Sequence, residues 1–158
     1  MKALIARARG TGFIAAVAGT TALSVSDIDG GCTAHTLFRL PVVQENEDVV
    51  SRIAEHDARA DFLREALCIV WDELPMANIS AFHAVDCMLR EVMNSSTPFG
   101  GKVLIAIGDF LQVAPIVKGN GPTACYLASV LSSPIWPLFR PHVLTAPVRN
   151  AADPNFAN

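Results

Sequence analysis

Leu67-Cys68-Ile69-Val70-Trp71-Asp72-Glu73 is the stretch that decides how this chain folds. An unbroken apolar run with no polar alternation predicts a strand buried on both faces at residues 67–71. Two carboxylates stand at its tip. The same design recurs on either side. Residues 13–18 (FIAAVA) form an apolar run after Gly10-Thr11-Gly12, and residues 102–107 (KVLIAI) run into Gly108-Asp109. A last strand is expected at 142–146.

Helical patterns fill the intervals. Gly19-Thr20-Thr21 turns the chain into a short helical segment at 22–25, and Asp29-Gly30-Gly31 breaks it before a second at 33–38. Residues 49–66 place Val50, Ile53, Ala54, Ala60 and Leu63 among many charges, which predicts an amphipathic surface helix. After Pro75, Asn78 caps a helix whose Ile79, Phe82, Val85, Leu89 and Val92 share one face. Residues 97–101 read as a loop, and a helix is expected near 123–131. Two-sided apolar strands alternating with helices imply an α/β fold, a parallel sheet covered by helices on both faces. Ligands of such sheets bind beyond the carboxyl ends of the strands. Asp72, Asp109 and Arg149 each follow a strand of the same direction, so they are expected to meet at one edge.

Composition sets the limits. The chain has 158 residues, 51% hydrophobic and 17% charged, enough for one domain with a real core. No apolar run approaches the roughly 20 residues that cross a bilayer. The start, MKALIARARGTG, carries Lys2, Arg7 and Arg9 but no signal-peptide pattern. Cys32, Cys68, Cys87 and Cys125 lie far apart without a C-x-x-C pair, which argues against zinc or a disulfide framework. A formal charge of −3 gives no global attraction to nucleic acid, so any such contact must come from a local groove.

Several groups could carry chemistry. Asp72 and Glu73 have the layout of a Walker B strand tip, where the first carboxylate holds Mg²⁺ and the second activates water. Alone, such a pair also ends many ordinary surface strands. Gln112, in Gly108-Asp109-Phe110-Leu111-Gln112, offers a donor and an acceptor to a phosphate or a water, or sits in a plain solvated loop. Arg149 is either a surface residue or a guanidinium aimed at transition-state charge. Thr20 and Thr21 stand at a strand tip and a helix start, where backbone N–H groups and hydroxyls suit phosphate, or simply cap a helix. His35 is a nucleic-acid contact or a structural histidine.

Order adds what the pieces lack. Ala18-Gly19-Thr20-Thr21-Ala22-Leu23, Gly30-Gly31-Cys32-Thr33-Ala34-His35, Trp71-Asp72-Glu73-Leu74-Pro75-Met76, Pro98-Phe99-Gly100-Gly101, the GDF-x-Q segment and Leu144-Thr145-Ala146-Pro147-Val148-Arg149-Asn150 follow one another along nearly the whole chain. This series resembles the petite-integration-frequency (PIF) family of superfamily-one DNA helicases, most of all the branch carried by Helitron transposons. The resemblance implies a RecA-like P-loop NTPase core and ATP-driven 5′-to-3′ DNA unwinding in repair, recombination or transposition. It also implies that Asp72 holds Mg²⁺, Glu73 is the catalytic carboxylate, Gln112 senses the γ-phosphate of ATP and Arg149 is an arginine finger. Thr20, Thr21 and His35 would lie toward single-stranded DNA, with DNA duplex junctions as further partners. A nuclear location follows from the same resemblance, with the mitochondrion as the alternative. Leu111 stands where the family often has Arg, and Leu74-Pro75 replaces a small-residue stretch.

One departure is larger. No G-x-x-x-x-G-K-[ST] string, the Walker A loop, occurs in the chain, whose lysines are Lys2, Lys102 and Lys118. Lys102 leads into a strand instead of following one. Residues 2–9 read as the tail of the helix that should follow that loop, and the fragment is expected to lack the family's second lobe as well. The reading is therefore a partial RecA-like motor domain over 1–158, truncated at its N-terminal side and inactive alone. The alternatives are a non-catalytic DNA- or protein-binding module on a degenerate motor fold, or an unrelated α/β hydrolase using Asp72 and Glu73.

Overall fold

The computed structural model describes residues 1–42, 49–112, 115 and 121–145. Helix α1 (Lys2–Gly10) leads through a turn to β1 (Ile14–Gly19), and the short helix α2 (Ala22–Val25) follows. Then come β2 (Cys32–Thr33), α3 (Ala34–Leu37), α4 (Ala58–Glu65) and β3 (Ala66–Asp72). The long helix α5 (Ile79–Val92), β4 (Val103–Ala106) and α6 (Gly121–Ala128) complete the regular elements. The four strands pair in the order β2-β1-β3-β4, all parallel, as expected for strands apolar on both faces.

Strand alternation divides the core in two. Ala16, Ala18, Ile69 and Trp71 point to one face, where Phe82, Val85 and Leu89 of α5 meet them. Ala15, Val17, Cys68 and Val70 point to the other, under Ile5 of α1 and Val25. Cover on this second face is thinner. It leaves an apolar cleft of about 380 Å³ beside Leu4, Phe13, Leu67, Val103 and Ile105, toward the amino ends of the strands. Among the described residues β4 has a neighbour on one side only, and Val103 is 57% exposed.

Helix α5 forms as its sequence predicts. Asn78 Oδ1 accepts the Ser80 N–H at 2.9 Å, and Phe82, Val85, Leu89 and Val92 are buried. The Pro98–Gly101 segment, expected as a loop, is a tight turn in which Phe99 and Gly100 have left-handed backbones. Buried Asp86 explains it: its carboxylate accepts the Phe99 N–H at 2.5 Å and Arg90 Nε at 2.9 Å. Gly100 has φ +62, and a Cβ there would lie 2.4 Å from the Leu89 carbonyl oxygen.

Three expectations are corrected. The helix expected at 49–66 is confined to α4, since Asp57 caps it by accepting the Arg59 N–H at 2.8 Å. Residues 49–54 instead run as irregular chain, held by Ser51 Oγ donating to the Phe38 carbonyl at 2.6 Å and by buried Ile53. The helix expected at 123–131 starts at Gly121 and stops at Ala128, where Ser129 caps a 3-10 turn over Val130–Ser132. The strand expected at 142–146 is absent over 142–145, where Val143 is 82% and Leu144 94% exposed. A strand needs a neighbour to satisfy its backbone, and among the described residues this segment pairs with none.

Candidate active site at the strand tips

Parallel strands bring their carboxyl ends to one edge. The site is built there from three of them. Asp72 closes β3 and pairs in register with Gly19 of β1, while Trp71 pairs with Ala106 of β4. The Thr20 N–H donates to the Asp72 carbonyl at 3.0 Å, so the β1 tip continues alongside β3 beyond the ladder. On the other flank the Ile107 N–H donates to the Trp71 carbonyl at 2.9 Å, and the Leu74 N–H to the Ile107 carbonyl at 3.0 Å. Asp72 and Asp109 therefore stand at the same edge, as the strand pattern predicts.

Side chains lock the β1 and β3 tips together. Trp71 is 1% exposed, packed between Phe38 and Phe82 at ring distances of 5.4 and 6.4 Å. Its indole N–H donates to Thr20 Oγ1 at 3.1 Å. Thr21 caps α2 by accepting the Ser24 N–H at 3.3 Å, and its own hydroxyl donates to Glu73 Oε2 at 2.6 Å. Gly19 is needed for this turn, because a Cβ would lie 2.2 Å from Ser24 Oγ and 2.8 Å from the Thr21 carbonyl oxygen. Glu73 itself has a left-handed backbone, φ 54 and ψ 36. That conformation costs a non-glycine residue on the order of 1 kcal/mol and persists only where the surroundings fix it.

Burial pushes the Asp72 carboxyl above its ordinary pKa, and the Glu73 charge adds to this; a backbone hydrogen bond and the Met1 ammonium act against it. A half-buried carboxylate with a second one beside it suits a hard cation such as Mg²⁺, which keeps several waters and takes one or two protein carboxylates. Asp72 is the residue that would hold it.

The third strand contributes less order. Asp109 Oδ1 accepts the Leu111 N–H at 2.8 Å, and Gln112 Nε2 donates to Asp109 Oδ2 at 2.9 Å. All three residues are exposed. Gly108, at φ +153, lets this loop press on the turn after the acids, for a Cβ there would lie 2.3 Å from Pro75 Cδ. His35 is exposed on α3, just beyond β2, whose Thr33 pairs with Gly19. Arg149 lies outside the described residues. Lys102 is at the opposite end of the sheet, donating to the carbonyls of Arg64 and of Ala66, where β3 begins.

Two contributors escape sequence reasoning. Trp71 reads as one more apolar residue of a strand, yet its N–H anchors Thr20. The Thr21–Glu73 bond joins residues 52 positions apart, and nothing local signals it.

A four-stranded parallel sheet with helices on both faces and paired acids at a strand tip defines a RecA-like motor lobe. The PIF1-like helicase family model matches residues 1–156. The chain belongs to that family. It is 29% identical over 146 residues to the ATP-dependent DNA helicase PIF1 of Emericella nidulans, covering 90% of this chain and 19% of that protein. The ATP-dependent DNA helicase Pif1 of Bdellovibrio bacteriovorus is 30% identical over 102 residues, 64% of this chain and 23% of its own length. Among solved structures, Pif1 helicase from Candida albicans superposes with a TM-score of 0.72 and 25% identity, over 98% of this chain and 34% of that one. Bacteroides Pif1 bound to single-stranded DNA gives 0.61 and 28%, over 74% and 26%. The chain thus spans less than a quarter of those two curated relatives.

Proposed function

We propose that this chain is part of the first motor lobe of an ATP-dependent 5′-to-3′ DNA helicase. The observation that carries the reading is the convergence, at one sheet edge, of the Asp72-Glu73 pair, the Thr20-Thr21 tip and the Asp109–Gln112 loop, in a chain matched almost end to end by the family. Asp72 holds Mg²⁺, which when bound supplies positive charge to the phosphates. Glu73 accepts a proton from the attacking water. Gln112 donates its amide N–H to a γ-phosphate oxygen, and Arg149 offers its guanidinium to the charge that develops there. Thr20, Thr21 and His35, beyond the ends of β1 and β2, face single-stranded DNA. Membership of the Helitron branch, a role in repair, recombination or transposition, action at duplex junctions and a nuclear location belong to the same proposal. Among the described residues no helix is long and apolar enough to cross a membrane.

Phosphoryl transfer relies on positioning and charge, and the 158 residues hold no G-x-x-x-x-G-K-[ST] cradle for the phosphates. This chain alone is therefore expected to bind nucleotide weakly, with Mg²⁺, and to release no phosphate. A motor rebuilt by joining it to such a loop and a second lobe is expected to turn over ATP when single-stranded DNA is added, and to lose that turnover in Asp72→Ala. Steady-state phosphate release decides it. Turnover by the chain alone, near the roughly 10 s⁻¹ enzyme median and abolished by Asp72→Ala, would overturn the need for the loop. The second reading is a non-catalytic DNA- or protein-binding module on the same fold. Tight DNA binding indifferent to nucleotide, with a rebuilt motor that stays silent, would select it.

A further inference from the structure

The Thr21 hydroxyl has both of its main hydrogen-bonding roles occupied inside the protein. Its oxygen accepts the Ser24 N–H at 3.3 Å, and its proton goes to Glu73 Oε2 at 2.6 Å. That bond ties one carboxylate oxygen of Glu73 to the β1 tip and so sets the direction in which the carboxylate faces. Thr20, one peptide away, differs. Its oxygen accepts the Trp71 indole N–H, which leaves its own proton for an outside acceptor such as a phosphate oxygen. The turn carrying both residues is compact, with no room for a side chain at Gly19 beside Ser24 and the Thr21 carbonyl. A pull on Thr20 is therefore passed to Thr21.

We propose that Thr21 is a positioning residue that holds the Glu73 carboxylate back from the attacking water until single-stranded DNA, taken up at the β1 tip, draws the hydroxyl away. This rests on the reading above, in which Glu73 is the base and Thr20 faces DNA. Without DNA the carboxylate points to Thr21. With DNA it is released toward the phosphates. Two bonds suffice to link a DNA contact to the base.

The 158-residue chain, labelled with carbon-13 at its glutamate carboxyls, tests this without any need for turnover. The Glu73 signal is identified by its loss in Glu73→Gln. Titrating oligothymidylate into the parent and into Thr21→Ser should shift that signal in step with DNA binding. In Thr21→Val the signal of the free protein should already be displaced, and saturating DNA should not move it. Thr21→Asp keeps an acceptor for the Ser24 N–H but has no proton to donate. It should also give a signal that DNA does not move, which covers the case in which the valine variant fails to fold. A parent whose Glu73 signal stays fixed while DNA binds overturns the coupling and leaves the DNA contact standing, as does a Thr21→Val that responds like the parent. A parent that binds no oligothymidylate removes the proposed DNA contact and the coupling with it.

Discussion

The tips of β3 and β4 reach the same edge of the sheet but are fixed to different degrees. At the β3 tip, Asp72 and Glu73 are half-buried and bonded to a neighbouring strand end, through the Thr20 N–H and the Thr21 hydroxyl. Beyond β4, Asp109 and Gln112 are exposed and bond to each other. One tip is arranged by the core before any ligand arrives. The other is held only within its own loop, with one amide N–H of Gln112 on Asp109 and the second left for a phosphate. Catalytic strength should therefore concentrate at the first tip.

That contrast can be broken most directly in a rebuilt motor. Glu73→Gln should lower turnover by about 10³-fold, the middle of the range for a positioned proton acceptor. Arg149→Ala should cost about as much with nucleotide affinity little changed, as for other arginine fingers. Gln112→Ala removes one hydrogen bond to a charged group and should cost only about 10- to 100-fold. Steady-state kinetics on the three variants measures all of this, and equal losses for Glu73 and Gln112 would end the distinction.

Stability of the isolated chain gives a smaller, independent measure. Thr21→Val removes the cap of α2 along with the bond to Glu73, and should destabilise by about 1 kcal/mol in urea unfolding. Gln112→Ala, on an exposed loop, should stay within about 0.5 kcal/mol. A loop substitution as costly as the cap would mean that the β4 tip is fixed after all.

The smallest effect is in pH. Burial raises the Asp72 carboxyl above its ordinary value, so the folded state binds that proton more tightly than the unfolded chain. The contribution is fully present below the unfolded value and is lost as pH rises through the raised one. Urea midpoints followed upward from about pH 4 should carry this downward component, and Asp72→Asn should remove it. Mg²⁺ binding at Asp72 should run the other way, strengthening as pH rises over the same window. An unchanged pH profile in Asp72→Asn would remove the account of the acid tip.

What the sequence makes legible is what repeats at short range. Apolar runs mark β1, β3 and β4, ending in Gly-Thr-Thr, Asp-Glu and Gly-Asp, and an Asn cap with an apolar stripe at three- and four-residue spacing marks α5. The order of the motifs points to the family. Long-range pairings stay hidden. Strand β2 has two residues, too few to show a period, and exists only because Gly30-Gly31 lays Cys32 and Thr33 beside Ala18 and Gly19. The false start of α4 came from charges and apolar residues at helical spacing, which Asp57 overrides. The tight turn at Phe99 could have been suspected from Asp86, a carboxylate next to the apolar stripe of α5 that needed a partner. Thr21 is the plainest case. Its position at a strand tip shows in the sequence, but the partner of its hydroxyl does not.

Among the described residues β4 is paired on one side only, and this bears on how the chain behaves in the test tube. The strand's outer row of N–H and C=O groups and the exposed Val103 offer a template to any extended strand, and the apolar cleft beside it leaves little charge to discourage one. Concentrated solutions should drift toward oligomers by edge-to-edge addition, slowly and with rising β signal, while dilute ones stay monomeric. A lysine placed at Val103 would blunt that template, and it is the first change to make if crystals or NMR samples of the chain are wanted.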